Sequence, residues 1–211
     1  MGEFPLFVDL EGVPCLIAGG GRVALRKARA LLACAPRLTV AAPRFLPEFQ
    51  ALEQAGKLRL LRRAFRPKDL AGNRLAVAAT GDRGVNRQIA ALCRARGILV
   101  NVADDQEACT CKFPAVVRRG GLTIGVSTGG ASPTAARFFK ERIEALIPAG
   151  EGELADILDF LARSRAQVRE RLPEGARGPV FAALFDRCMA LGRGLSGEEL
   201  EEVLKEAARD E

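Results

Sequence analysis

The chain has 211 residues, 48% of them hydrophobic and 27% charged, with a formal net charge of +6 and a pI of about 9.3. That composition suits a globular chain holding one large domain, or a nucleotide-binding domain with a smaller unit, and excludes fibrous and disordered classes. Histidine and tyrosine are both absent, so acid–base work falls to Asp, Glu, Lys or Cys, which removes Ser-His-Asp hydrolases, Tyr-x-x-x-Lys reductases, His-based dehydrogenases and imidazole metal sites.

In chain order, residues 13–18 (VPCLIA) read as a short buried strand, Gly19-Gly20-Gly21 as a turn, and residues 23–33 as a helix with Val23, Lys27, Ala30 and Leu31 near one face. A second strand is expected at 38–42, a helix at 46–55, and strands at 57–61 and 75–80 (LAVAAT). A helix at 85–96 stops at Gly97 before a strand at 98–102. Strands and helices alternating at this length call for a parallel sheet covered on both faces. Beyond Phe113-Pro114 the pattern changes to two strands, 115–118 and 122–126, and Ser132-Pro133 opens a helix with an apolar stripe at Phe139, Ile143 and Leu146. Residues 148–152 read as a linker. Helices at 154–171 and 179–191 follow, and Ser196-Gly-Glu-Glu199 is a capping box opening a last helix. The expected class is α/β: a Rossmann-type parallel-sheet domain (1–113), a small α+β dimerisation segment (114–148) and a helical C-terminal domain (149–211).

Three motifs carry chemistry. Gly19-x-Gly21-x-x-Ala24 lies between the first strand and first helix. There Gly19 permits the turn, Gly21 lets a pyrophosphate approach the backbone, Ala24 lets helix and strand pack, and the helix N-terminus offers N–H donors. The second strand runs into Pro43-Arg44 without the acidic residue that would hold ribose hydroxyls, so these residues alone leave NAD and NADP both open. Asn101-Val-Ala-Asp104-Asp105 follows the fifth strand, where a carboxylate either faces the ligand crevice or merely forms a turn. Ser127-Thr128-Gly129-Gly130-Ala131-Ser132-Pro133 is a glycine- and hydroxyl-rich loop able to present N–H groups to carboxylates, or simply a capped connection.

Cysteines 15, 34, 93, 109, 111 and 188 are scattered rather than spaced as a disulfide framework, and Cys109-Thr-Cys111 without a second pair or histidine is read as two reduced thiols. No metal site is expected. No apolar run approaches the ~20 residues of a membrane span and the first residues lack a signal-peptide pattern, so a cytoplasmic protein is expected, with no membrane partner. Basic residues are spread along the chain, which favours a small polyanionic substrate over nucleic acid.

Taken together, PLFVDLEGVPCLIAGGGRVALRKARALL, LTVAAP, LAVAAT, VNRQIA, ILVNVADD and FPAVVRRGGLTIGVSTGGASPTAAR resemble, in order and over essentially the whole chain, the N-terminal module of the siroheme synthase family and its stand-alone relatives. The resemblance implies NAD-dependent oxidation of precorrin-2 to sirohydrochlorin, and in many members insertion of ferrous iron in the same cleft to give siroheme. Carried over by position, it implies cofactor contacts at Gly19, Gly21, Arg22, Val23, Pro43, Arg44 and Thr80. It implies a catalytic Asp104 and substrate contacts at Asn101, Ser127, Thr128 and Gly129. It favours NAD over NADP, and a homodimer joined through residues 113–148 with substrate between the Rossmann crevice and the partner. The methyltransferase domain of the fused enzyme has no counterpart here, so precorrin-2 is expected from another polypeptide. A non-catalytic NAD(H)-sensing dimeric module, and a reductase of another acidic metabolite, are the rival classes.

Overall fold

A computed structural model describes residues 2–147 and 151–207. The chain divides into two compact units, Met1–Phe113 and Pro114–Glu211. In the first, β1 (Pro14–Ala18), β2 (Arg37–Ala41), β3 (Arg59–Leu61), β4 (Leu75–Ala78) and β5 (Leu99–Val102) form one parallel sheet in the order β3-β2-β1-β4-β5. Helices α1 (Arg22–Leu32), α2 (Pro47–Gln54) and α3 (Arg83–Ala95) make the crossovers. Strand β4 is buried throughout and β1 nearly so, which is why both read as unbroken apolar runs rather than alternating ones. The strand order reverses between β1 and β4, and ligands in open sheets of this kind bind outside the carboxyl ends of the strands at such a reversal.

Helix α1 buries Ala24, Leu25, Ala28 and Leu31; of the expected face Val23, Lys27, Ala30 and Leu31, Leu31 is buried, Val23 and Lys27 are half-buried and Ala30 is exposed, so the buried stripe is centred on the neighbouring alanines. Small alanines let α1 sit close to the sheet, and a sequence with alanine at 24, 28 and 30 does not distinguish these two faces. Helix α1 starts at Arg22, one residue ahead of the expected 23, with Gly21 as the N-cap. Between β3 and β4 the structure adds a 3-10 turn at Pro67–Leu70, held by Asp69, which accepts from the Arg66 N–H at 2.8 Å and from both Arg63 Nη atoms at 2.7 Å.

In the second unit β6 (Ala115–Arg119) and β7 (Leu122–Val126) form an antiparallel hairpin. Helix α4 (Pro133–Leu146) follows, N-capped by Ser132, whose Oγ accepts from Ala135 N at 3.1 Å. The expected apolar stripe of this helix is largely open in the single chain: Phe139 is 54% and Leu146 84% exposed. Helices α5 (Glu151–Arg171), α6 (Glu174–Leu191) and α7 (Gly197–Ala207) pack around Phe160, Val168, Leu184, Cys188 and Val203. Of the expected linker, residues 148–150 lie outside the described residues, whereas Glu151 and Gly152 already belong to α5. Helix α6 starts five residues before the expected Pro179, which sits inside it. Pro173 is its N-cap and Glu174 the acid of its first turn, and from that early turn the Arg177 guanidinium donates to the carbonyls of Leu172 and Arg169 at 2.9 Å each, capping the end of α5.

The capping box at α7 forms as expected: Glu199 N donates to Ser196 Oγ at 3.2 Å and Ser196 N to Glu199 Oε2 at 2.7 Å. Arg193 adds a bidentate pair at 2.9 Å, and that guanidinium first, then the Ser196 N–H, holds the Glu199 carboxyl down to about 2. A folded-state value below the ordinary glutamate range adds stability at neutral pH that disappears as pH falls through it. The thermal midpoint should therefore drop between pH 4.5 and pH 2, and Glu199→Gln should drop less over the same window. Calorimetry across that range checks this, and identical slopes would refute it.

Candidate functional site

The glycine turn joins β1 to α1 at the strand reversal. Gly19 has φ +131, and a Cβ there would stand 2.2 Å from the Ala79 carbonyl oxygen, so only glycine lets β1 leave the sheet against the end of β4. A Cβ on Gly20 would lie 2.1 Å from the Arg44 carbonyl oxygen, and Leu46 N donates to the Gly20 carbonyl at 3.0 Å, which ties the turn to the chain after β2. Gly21 is different, because a Cβ there meets nothing within 4 Å. No side chain caps α1 at Gly21. The first-turn N–H groups of Arg22, Val23 and Ala24, together with the positive end of the helix dipole, thus border open space on the carboxyl edge of the sheet, which is the geometry a pyrophosphate needs. Arg22 is exposed there, Val23 half-buried, and Pro43 and Arg44 exposed on the adjoining wall.

Across the reversal, Thr80 is held by a side chain that sequence reasoning did not single out. Asn86 of α3 is 4% exposed, and its Oδ1 accepts from Thr80 N at 3.0 Å and from Thr80 Oγ1 at 2.7 Å while its Nδ2 donates to Thr80 O at 3.2 Å. Asp82 then caps α3, accepting from Gly84 N and Val85 N at 2.7 and 3.1 Å. Both carry a sequence signal, an Asp just ahead of an apolar helix and an amide four residues on, but a polar residue inside a helix does not announce burial. Thr80 thereby has its polar atoms fixed inside the loop and offers the cleft its shape.

The two aspartates after β5 separate cleanly. Asp105 accepts from Arg87 Nε at 3.0 Å and from Ala108 N at 3.2 Å, and the arginine followed by that N–H lowers its pKa below the usual carboxylate value. It is the turn former. Asp104 is exposed and sits at φ +58, one of two non-glycine residues with positive φ among those described. Aspartate tolerates this region better than most residues, yet strain of this kind collects at functional positions. Ala103 N donates to Ala78 O at 2.8 Å, so the backbone leading into Asp104 is pinned to β4 at the carboxyl edge.

Asn101 is turned inward: 6% exposed, it donates from Nδ2 to the Cys111 carbonyl at 3.0 Å and lies 3.7 Å from Cys109 Sγ. Burial pushes the Cys111 thiol up to about 11, so it stays protonated near neutrality. Lys27 lies 4.2 Å over the Phe113 ring, and burial, then Arg26, lowers its pKa. Among the described residues no group of three acidic, Cys or His side chains could hold a metal ion. In the second unit, Thr128 Oγ1 accepts from Ser132 N and can donate to Ser132 O, both at 3.1 Å, while Ser127 Oγ accepts from Gly129 N at 3.2 Å. Cofactor candidates and Asp104 therefore share the first unit, and the Ser127–Gly129 loop belongs to the second. No described helix is long and apolar enough to cross a membrane.

Comparison with known proteins bears on this geometry. Siroheme synthase of Chromobacterium violaceum is 48% identical over 171 residues, covering 81% of this chain and 36% of that protein. Siroheme synthase of Pseudomonas entomophila is 38% identical over 213 residues, covering 99% of this chain and 45% of that protein. The chain thus spans less than half the length of these relatives. Among solved structures, "SirC, precorrin-2 dehydrogenase" matches with a TM-score of 0.69 and 25% identity over 98% of this chain and 100% of that one. The family described as "Sirohaem biosynthesis protein central" matches residues 119–146, and the one described as "Putative NAD(P)-binding" matches residues 6–115, more than half of the chain. With that match lying on the five-stranded sheet and its glycine turn, the chain belongs to the putative NAD(P)-binding family.

Proposed function

We propose that this chain oxidises precorrin-2 to sirohydrochlorin with NAD. The observation that carries the reading is the end-to-end match to a precorrin-2 dehydrogenase structure, laid over an open glycine cradle and an unpaired aspartate on one sheet edge. NAD, when bound, supplies the hydride acceptor. The residues of this chain do the rest. Backbone N–H groups of the α1 first turn bind the pyrophosphate, Arg22 and Arg44 flank the adenosine side, and the Asn86-clamped Thr80 shapes the opposite wall. Asp104 accepts the proton released as the macrocycle gains conjugation, a task one carboxylate can perform without histidine. Ser127, Thr128 and Gly129 are proposed contacts for the substrate carboxylates, and Asn101 contributes by holding the Cys109–Cys111 turn. A positively charged protein suits a polycarboxylate tetrapyrrole. Ferrous iron is a second proposed substrate, with Asp104 removing pyrrole protons during insertion. The six unbridged cysteines fit a reducing cytoplasm.

Incubating the protein anaerobically with precorrin-2 and NAD should produce the sirohydrochlorin chromophore together with NADH absorbance. Dinucleotide binding without either signal would leave the non-catalytic sensor reading standing instead.

The proposed assembly is a homodimer. Phe138, Phe139 and Leu146 of α4 are 50%, 54% and 84% exposed, more apolar surface than one helix ordinarily leaves in water. Sedimentation at micromolar concentration should show twice the 22.6 kDa chain mass, and Phe139→Asp should shift it to the monomer. A monomer in the unsubstituted protein would refute the dimer.

A further inference from the structure

The wall beside the glycine turn carries more positive charge than NAD requires. A dinucleotide fold selective for an unphosphorylated ribose places Asp or Glu after the second strand, where an arginine instead suits a 2′-phosphate. Here β2 runs into Pro43-Arg44. The Arg44 backbone is stitched to the turn through the Gly20 contact and the Leu46 N to Gly20 O bond, so its side chain starts next to the cofactor cradle and is exposed. Alongside opens a groove of about 720 Å³ whose lining includes Arg22, Arg26 and Arg29 from α1 with Leu46 and Glu48 from the start of α2. Positions 22, 26 and 29 recur on one helical face. None of these four arginines is ion-paired with a described carboxylate, and Glu48 is the one acid on the groove wall.

We propose that Arg44, with Arg22 and Arg26, forms a phosphomonoester subsite for the 2′-phosphate of NADP, so that this chain accepts NADP as well as NAD. The proposal rests on the dinucleotide reading of the Gly19–Gly21 turn. A guanidinium donates in a planar fork that matches phosphate oxygens, and a phosphate near −2 charge gains strong charge-assisted bonds from such a cluster. Glu48, on the groove lined by Arg22 and Arg26, gives the ribose hydroxyls of NAD an acceptor, while Arg44 stands on the adjoining segment two residues before the groove's Leu46.

Calorimetric titration of the full chain with NAD, NADP and adenosine 2′,5′-bisphosphate tests this at fixed ionic strength. NADP should bind at least as tightly as NAD, and adenosine 2′,5′-bisphosphate should displace it where inorganic phosphate does not. Arg44→Ala should raise the ratio of the NADP Kd to the NAD Kd about tenfold, equivalent to ~1.4 kcal/mol, and Arg26→Ala should raise it in the same direction. Wild-type binding of NADP tenfold or more weaker than NAD would overturn the subsite, as would a ratio unmoved by both substitutions. Displacement by inorganic phosphate at equal concentration would reduce the groove to a general anion patch and overturn it too. Binding of neither dinucleotide would instead refute the cofactor reading beneath it.

Discussion

Replacing Asp104 with Asn is expected to cut precorrin-2 oxidation by about 10²–10⁴-fold, the usual worth of a positioned general base. NAD affinity should hardly change, because the glycine turn and α1, not Asp104, hold the dinucleotide. Asn is the informative replacement: it tolerates the φ of +58 that an alanine would resist. Asp104→Gly goes further, since glycine relieves the backbone strain; that variant should unfold at or above the wild-type temperature while being equally inactive. Asp105→Asn should behave in the opposite way, loosening the Arg87 pair and the turn while keeping most of the rate. Steady-state rates at saturating NAD, set beside melting curves, check all three. A nearly silent Asp104→Asn with a damaging Asp105→Asn would move the base by one residue.

The second large effect concerns the glycines. Gly21→Asp should abolish NAD binding and leave the melting temperature near wild type, because its side chain enters open space and brings a negative charge to the pyrophosphate position. Gly20→Ala should do something else, driving a methyl to within 2.1 Å of the Arg44 carbonyl. Overpacking against backbone costs about 1–3 kcal/mol, so this variant loses stability even without cofactor. Dinucleotide titration and thermal unfolding on the pair separate the two roles. Equal loss of stability in both would mean that Gly21, like Gly20, is a packing glycine.

How much of this was legible beforehand follows from where the information sits. The alternation of apolar strands, a glycine turn and helices is local, so the parallel sheet and the position of the dinucleotide turn could be read directly from residues 13–102. Asp104 and Asp105 are adjacent and chemically identical; what tells them apart is Arg87, on a different element. Asn86 reads as an ordinary helix polar residue until the sheet brings it against Thr80. The α4 stripe was visible as periodicity, which reports that a face wants covering but not by what. Helix α6 begins at Glu174 with Pro173 as its N-cap, so a search for start signals centred on Pro179, which lies inside the helix, misses its first turn and the Arg177 contact with the end of α5.

The most direct test of the central claim is stoichiometry. Under anaerobic conditions with catalytic amounts of protein, removal of two electrons and their protons from precorrin-2 should yield one NADH for each sirohydrochlorin formed, with no product when NAD is withheld. Sirohydrochlorin appearing at the same rate without NAD, or NAD bound tightly with neither NADH nor sirohydrochlorin produced, would contradict the account.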